Sequence, residues 1–263
     1  MEEALSKTKI IEWNIGYSAQ YEKILEQVKE YMDGSFIICL LEVVPRNYEK
    51  FAEDLKNIAN LRYSLDYRKP GKYDGKNRQL GVLAIISLDF EIEDAGVFNR
   101  TLFPDRTLWV NLKVNQKVFK AVGFHSITGC SHKTAKSTNF LSMAESIDEF
   151  RPDIVVFDAN EPNMDHYDVE KMKFFEKNGR GAQVFFNLLL EIGLVDALSV
   201  VYDSSKFVEG SPLAVSHKIS RGGRAVRYDF IFLRESEIGI SNVSYEFEKA
   251  INATADHALV IVD

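Results

Sequence analysis

Asp153–Pro162 reads DIVVFDANEP, and its reading decides the fold. Ile154, Val155, Val156 and Phe157 form a continuous apolar run rich in β-branched residues, the pattern of a strand buried on both faces. The run stops at Asp158, Asn160 and Glu161, and Pro162 forbids simple continuation of a ladder. A buried strand therefore delivers a carboxylate and an amide to its carboxyl end, the edge at which open α/β sheets bind ligands. Asp158 and Asn160 are expected at the centre of an active site. Glu161, next to a proline, is expected in a loop without a role.

The flanking sequence repeats this design. Ser131–Phe150 carries Phe140, Met143, Ala144, Ile147 and Phe150 on one stripe, which predicts a helix leading into the strand. Before it, Val118–His125 alternates and ends on His125. Lys9–Ile15 (KIIEWNI) is a strand carrying Asn14, and Phe36–Leu41 (FIICLL) is a buried strand ending on Glu42. Further strands are expected at Arg62–Tyr67, Leu80–Ser87, Glu91–Val97, Thr107–Val114, Arg227–Arg234, Ser241–Phe247 and Ala258–Val262. Helices are expected at Ala19–Tyr31, Asn47–Ala59, Val169–Phe175 and Gln183–Ile192, the last closed by Gly193. Val200–Arg224 is a long polar loop, as is the shorter Lys69–Asn77. No linker or internal repeat divides the chain, so residues 1–263 are expected to form one α/β domain, with helices outside a sheet-on-sheet core.

Composition narrows the function. A net charge of −7 argues against a general polyanion-binding surface but leaves room for a local basic groove. The 46% hydrophobic fraction is ordinary for a globular protein, and no run is long and apolar enough to span a membrane. Of the two cysteines, Cys39 lies in an apolar run and is expected as a reduced core residue. The amino terminus lacks a signal-peptide core, so a cytoplasmic location is expected.

Four strands thus end on a polar residue: Asn14, Glu42, His125 and Asp158. Asp229 sits inside a fifth, and Asp256-His257 open a sixth. Singly, each is better explained as a turn or loop-capping residue. In this order they resemble the exonuclease–endonuclease–phosphatase superfamily of deoxyribonuclease I. The matching motifs are WNI (Trp13–Ile15), LLEV (Leu41–Val43), FHS (Phe124–Ser126) and DAN (Asp158–Asn160). GLVDA (Gly193–Ala197), RYDFIF (Arg227–Phe232) and ADHALV (Ala255–Val260) complete the set. Three positions depart from the usual pattern. Phe157 replaces a glycine, Ala159 an aromatic residue and Ala255 a serine. No counterpart appears of the glutamate that supports the first histidine in deoxyribonuclease I; Arg78 and Gln79 stand nearby instead.

The resemblance implies a four-layered α/β sandwich and Mg²⁺- or Mn²⁺-dependent hydrolysis of phosphate esters. It implies metal ligation by Glu42 and Asn14 with Asp256 nearby, and water activation by Asp158 with Asn160. It further implies phosphate contact by His257, held by Asp229, with His125 as a second phosphate contact. Arg78 is a candidate substrate contact. Rim cations are expected at Lys69, Lys72, Lys76, Lys133, Lys136, Lys218, Arg221, Arg224 and Arg227. They favour nucleic acid as substrate, with a small phosphorylated metabolite or lipid head group as the alternative and a non-catalytic binding domain as a third reading. Asp196 is expected to be structural, and His132, His166 and His217 to be surface residues.

Overall fold

Strand β1 (Lys9–Asn14) shows how the sequence divides its core. Ile11 and Trp13 pack outward with helices α1 (Tyr21–Glu30), α2 (Pro45–Leu55) and α7 (Phe247–Asn252), while Ile10 joins the cluster between the sheets. Side chains alternate along a strand, so Glu12 and Asn14 share the inner face with Ile10. In this computed structural model the described residues are 8–68, 79–114, 116–219, 222–234 and 239–263, without the side chains of 130–134.

Among the described residues the chain forms two mixed six-stranded sheets. The first runs in the order β13 (Val243–Glu246), β14 (Leu259–Val262), β1, β2 (Phe36–Val43), β4 (Gly81–Ile86), β3 (Asn60–Tyr63). The second runs β5 (Glu91–Gly96), β6 (Thr107–Val114), β7 (Lys117–His125), β8 (Ile154–Asp158), β12 (Asp229–Leu233), β9 (Val195–Asp196). Ile37, Cys39, Val82, Val110, Val156 and Ile231 fill the space between them. Helices α4 (Gly129–Phe150) and α5 (Gly181–Glu191) cover the second sheet through Phe140, Met143, Phe185 and Phe186. The result is a helix–sheet–sheet–helix sandwich with the expected central core.

The DIVVFD strand is fully buried and sits between a parallel and an antiparallel neighbour. Its last residue, Asp158, is in register with His125 of β7 on one side and with Asp229 of β12 on the other. Three of the expected site residues therefore share one level of one sheet by strand pairing alone.

Two expected elements differ. Arg62–Tyr67 is strand only as far as Tyr63; Ser64–Tyr67 is a turn of helix, because the buried Ser64 hydroxyl donates to Asp105 O and accepts from Val82 N. Val169–Phe175 is not an α-helix. It holds a 3-10 turn at Val169–Lys171, and Lys173 then pairs with Met164 as an isolated bridge. The Val200–Arg224 stretch is partly ordered by a 3-10 turn, Ser204–Lys206, and by strand β10 (His217–Lys218), which pairs with β11 (Ala225–Val226). Cys39 is a free, buried core residue, as expected.

Candidate active site

Strand parity explains which side chains converge. Ile154 and Val156 of β8 and Ile231 and Leu233 of β12 line the space between the sheets, so Asp158 and Asp229, two residues along, face the same way. His125 shares the inner face with Ala121, and Asn14 with Ile10. Glu42 breaks this rule. Leu41 points between the sheets, but Val43 points outward, and the pairing of β2 with β4 shifts between Leu40 and Val43. Glu42 is the extra residue of this bulge, with a left-handed φ of 60°, and the bulge re-aims its carboxylate.

At the centre, Asp158 is 1% exposed. Its Oδ2 accepts from Asn14 Nδ2 at 2.9 Å and from Asn160 Nδ2 at 3.1 Å, and its Oδ1 accepts from Asn160 N at 2.7 Å. Burial, then the Asp229 carboxylate, push the Asp158 carboxyl up to about 7. Asn160, at φ 49°, also donates from Nδ2 to Ser126 O at 3.2 Å. With both Nδ2 partners being acceptors, Asn160 Oδ1 remains open for a donor among the described residues.

Beside Asp158, His257 Nδ1 donates to Asp229 Oδ2 at 2.8 Å and lies 4.0 Å from Asp158 Oδ2. Burial works against its imidazolium, yet the carboxylates of Asp229 and Asp158 outweigh it and raise the ring to about 10. The indole nitrogen of Trp13 donates to His257 O at 3.0 Å, which fixes the backbone there. His257 is thus a cation at neutral pH, aimed by a carboxylate.

His125 is held differently. Its Nε2 is 3.4 Å from Glu42 Oε1 and 3.7 Å from Asp158 Oδ2, and its Nδ1 is 3.1 Å from a terminal guanidinium nitrogen of Arg106. The same nitrogen lies 3.4 Å from Nε2; because a guanidinium only donates, the nearer Nδ1 is its acceptor, which leaves the ring proton on Nε2, the nitrogen that faces Glu42. Burial, then Arg106, hold the His125 ring well below its ordinary value. Arg106 ends the 3-10 turn Pro104–Arg106 and stands at the imidazole edge where the sequence offered no carboxylate partner.

The donor set suits a hard cation. The Glu42 carboxylate accepts from Tyr17 N at 3.2 Å, and burial raises its carboxyl against the opposing charges of Arg106 and His257. The charge of Asp256 also bears on Glu42, and among the described residues Asn14 Oδ1 accepts from Gly16 N at 3.0 Å. These are oxygen ligands, and Mg²⁺ takes few protein oxygens and keeps several waters. Glu42, with Asn14 and Asp256 beside it, fits that demand. Two other groups, Asp158-Asp229-His257 and His217-Asp256-His257, each bring one potential ligand atom per residue within 4.8 Å.

Several assignments change. His217, expected at the surface, is half-buried and stacks on His257 with ring centroids 4.3 Å apart, its Nδ1 donating to Asp256 O at 3.0 Å. The bridge between His217 and His257 brings the two backbones together, a pairing that sequence spacing does not reveal. Lys136 and Arg227 are not rim cations. Both are buried at 1% exposure; Lys136 lies 3.6 Å from Glu161, and Arg227 pairs with Asp165 at 2.9 Å and Asp196 at 2.8 Å. Asp196 is accordingly structural. Glu161 is fully buried rather than an idle loop residue. Glu12, unremarked in the sequence, is fully buried with both carboxylate oxygens unpartnered among the described residues. Burial, then the charges of Asp229 and Asp158, push its carboxyl well above the ordinary carboxylate range. Arg78, Lys69, Lys72, Lys76 and Arg221, and the side chains of His132 and Lys133, lie outside the described residues.

Two mixed sheets between helical layers, with polar residues gathered at one strand-end edge, define the deoxyribonuclease I-like class of fold. Solved structures agree. An AP endonuclease from Archaeoglobus fulgidus superposes with a TM-score of 0.65 at 17% identity, over 97% of this chain and 98% of that one. An endonuclease/exonuclease/phosphatase from Bacteroides vulgatus gives 0.64 at 17% identity, covering 97% of each chain. Truncated Caenorhabditis elegans TDP2 gives 0.59 at 15% identity, over 97% of this chain and 95% of that one. No family model and no curated protein sequence matches the chain. At these identities the likeness establishes the fold, and the site must argue for the chemistry.

Proposed function

We propose that the chain is a Mg²⁺-dependent phosphate-ester hydrolase acting on phosphodiesters of nucleic acid. The observation that carries this reading is the pairing of a buried carboxylate, Asp158, with a carboxylate-held imidazolium, His257, 4.0 Å away. Hydrolysis at phosphorus needs an oriented water and positive or hydrogen-bonding groups for the phosphoryl oxygens. Asp158 and Asn160 Oδ1 serve the first need: the carboxylate accepts a proton of the water while the amide oxygen accepts its other hydrogen. His257 serves the second with a charged N–H, and neutral His125 adds an Nε2–H. Glu42, with Asn14 and Asp256, would hold a Mg²⁺. When bound, that ion supplies charge neutralisation for the phosphoryl and leaving oxygens.

Nucleic acid is favoured by the names of the similar structures, one an AP endonuclease and another an endonuclease/exonuclease/phosphatase. Tyr17, 64% exposed, also stands beside Glu42, where it offers a base a stacking surface. A small phosphate ester is the second reading, because two of the expected rim cations, Lys136 and Arg227, are buried and paired. A panel of DNA, RNA, nucleotides, sugar phosphates and inositol phosphates, assayed with Mg²⁺ and with EDTA, tests both. Nucleic-acid cleavage that requires Mg²⁺ and is lost in Asp158→Asn supports the proposal. Phosphate release from small esters alone replaces it with the second reading, and metal-independent cleavage refutes both.

A further inference from the structure

Asn160 is held at four points. Its N–H and its Nδ2 engage the two oxygens of Asp158, Nδ2 also reaches Ser126 O, and its own carbonyl accepts from Lys136 Nζ at 2.6 Å. Lys136 comes from helix α4, in the outer layer, and its ammonium lies 3.6 Å from Glu161 Oε1. Glu161 in turn accepts from Phe175 N at 3.0 Å and from Asn178 Nδ2 at 2.7 Å. A charge pair buried this completely is costly to desolvate, and apolar side chains of similar volume often stabilise a core as well or better. Stability is therefore a poor reason for its presence. Its geometry supplies another, because the ammonium ends on the backbone of the residue that must keep a left-handed conformation to present its amide to Asp158.

We infer that Lys136 and Glu161 are positioning residues: a buried ion pair that clamps the Asn160 carbonyl and so aims the Asn160 amide at Asp158 and the attacking water. The inference rests on the hydrolase reading for its catalytic consequence, but not for its structural one. Without the clamp the peptide is free to leave the left-handed region, which asparagine tolerates without preferring. Misplacement of a catalytic group by about 1 Å is enough to cost on the order of 10²-fold in rate.

Lys136→Met alone leaves Glu161 as an uncompensated buried charge and is strongly destabilising, so the informative variant is Lys136→Met/Glu161→Gln. Its kcat and KM are compared with wild type in the Asn160 and the Asn160→Ala backgrounds, alongside amide hydrogen exchange by NMR. The clamp predicts a folded double variant whose kcat falls by about 10- to 100-fold with KM little changed. It predicts faster exchange at the Asn160 amide than in wild type while Val155 and Val156 amides keep their protection. It also predicts no further loss of kcat when the pair is replaced in Asn160→Ala. An equal loss in both backgrounds, or unchanged exchange at Asn160, overturns it. If the wild type hydrolyses no phosphate ester, the functional reading fails, and the exchange measurement alone then decides the clamp.

Discussion

Arg106 places a guanidinium nitrogen 3.1 Å from Nδ1 of His125, so the Nδ1 edge of this imidazole is held by a buried cation, while Nε2 faces the Glu42 carboxylate. A carboxylate at that position would favour the imidazolium; a guanidinium excludes it and fixes the proton on Nε2. Arg106→Met should therefore let His125 protonate at higher pH than in wild type, followed by NMR of the ring protons. Activity on the best substrate should fall by about tenfold or more, as for loss of one preorganised donor's support. An unchanged His125 titration would show that Arg106 does not set its protonation state.

The His257–Asp229 pair makes stability depend on pH. The ring titrates near 6.5 when unfolded and at about 10 when folded. A raised folded value means that the pair's contribution is complete below pH 6.5 and disappears as the pH climbs through 10. In EDTA, the melting temperature of the wild type should decline between pH 7 and pH 10. His257→Gln should melt lower at pH 7 and show a flatter profile across that window. An identical slope in the variant would assign the decline to other groups.

Glu42 offers a direct test of the metal reading. Glu42→Gln keeps the side-chain volume and an acceptor for Tyr17 N but removes the charge. Mg²⁺ or Mn²⁺ binding, measured by calorimetry or by Mn²⁺ paramagnetic resonance, should weaken by about tenfold or more. Asp158→Asn, by contrast, should lower kcat by about 10²- to 10⁴-fold, the range for loss of a general base. Equal metal affinity in wild type and Glu42→Gln would move the ion away from this edge.

What the sequence disclosed follows from strand physics. Asp158, Asp229, His125 and Asn14 lie on the strands themselves, so apolar runs, parity and chain order located them, and pairing places three of them in register. The helices α1, α2, α4 and α5 were legible from their apolar stripes in the same way. The supporting residues were not. Arg106 and Lys136 reach the site through long side chains from a 3-10 turn and an outer helix, and nothing in local spacing separates such a cation from a solvated one. Glu42 was legible as a residue but not as a bulge, since its neighbours' parity breaks only in three dimensions.

His217 is the clearest case of a residue visible only after folding. Its ring lies 4.3 Å from that of His257 at an interplanar angle of 26°, and 6.1 Å from that of Tyr228. The Nδ1–H is committed to Asp256 O, and burial, then the charge on His257, lower its ring value, so a neutral imidazole backs a charged one. A π-face against a cation is attractive, and stacking limits the angles His257 can adopt around its Asp229 bond. His217→Ala removes both effects and should reduce kcat/KM by about two- to tenfold, the equivalent of one aromatic pair. His217→Phe restores the stack without any ring nitrogen, so it should recover most of that loss. Recovery in the phenylalanine variant assigns His217 to holding His257. A phenylalanine variant as impaired as the alanine one would instead give the His217 nitrogens a direct part in binding or turnover.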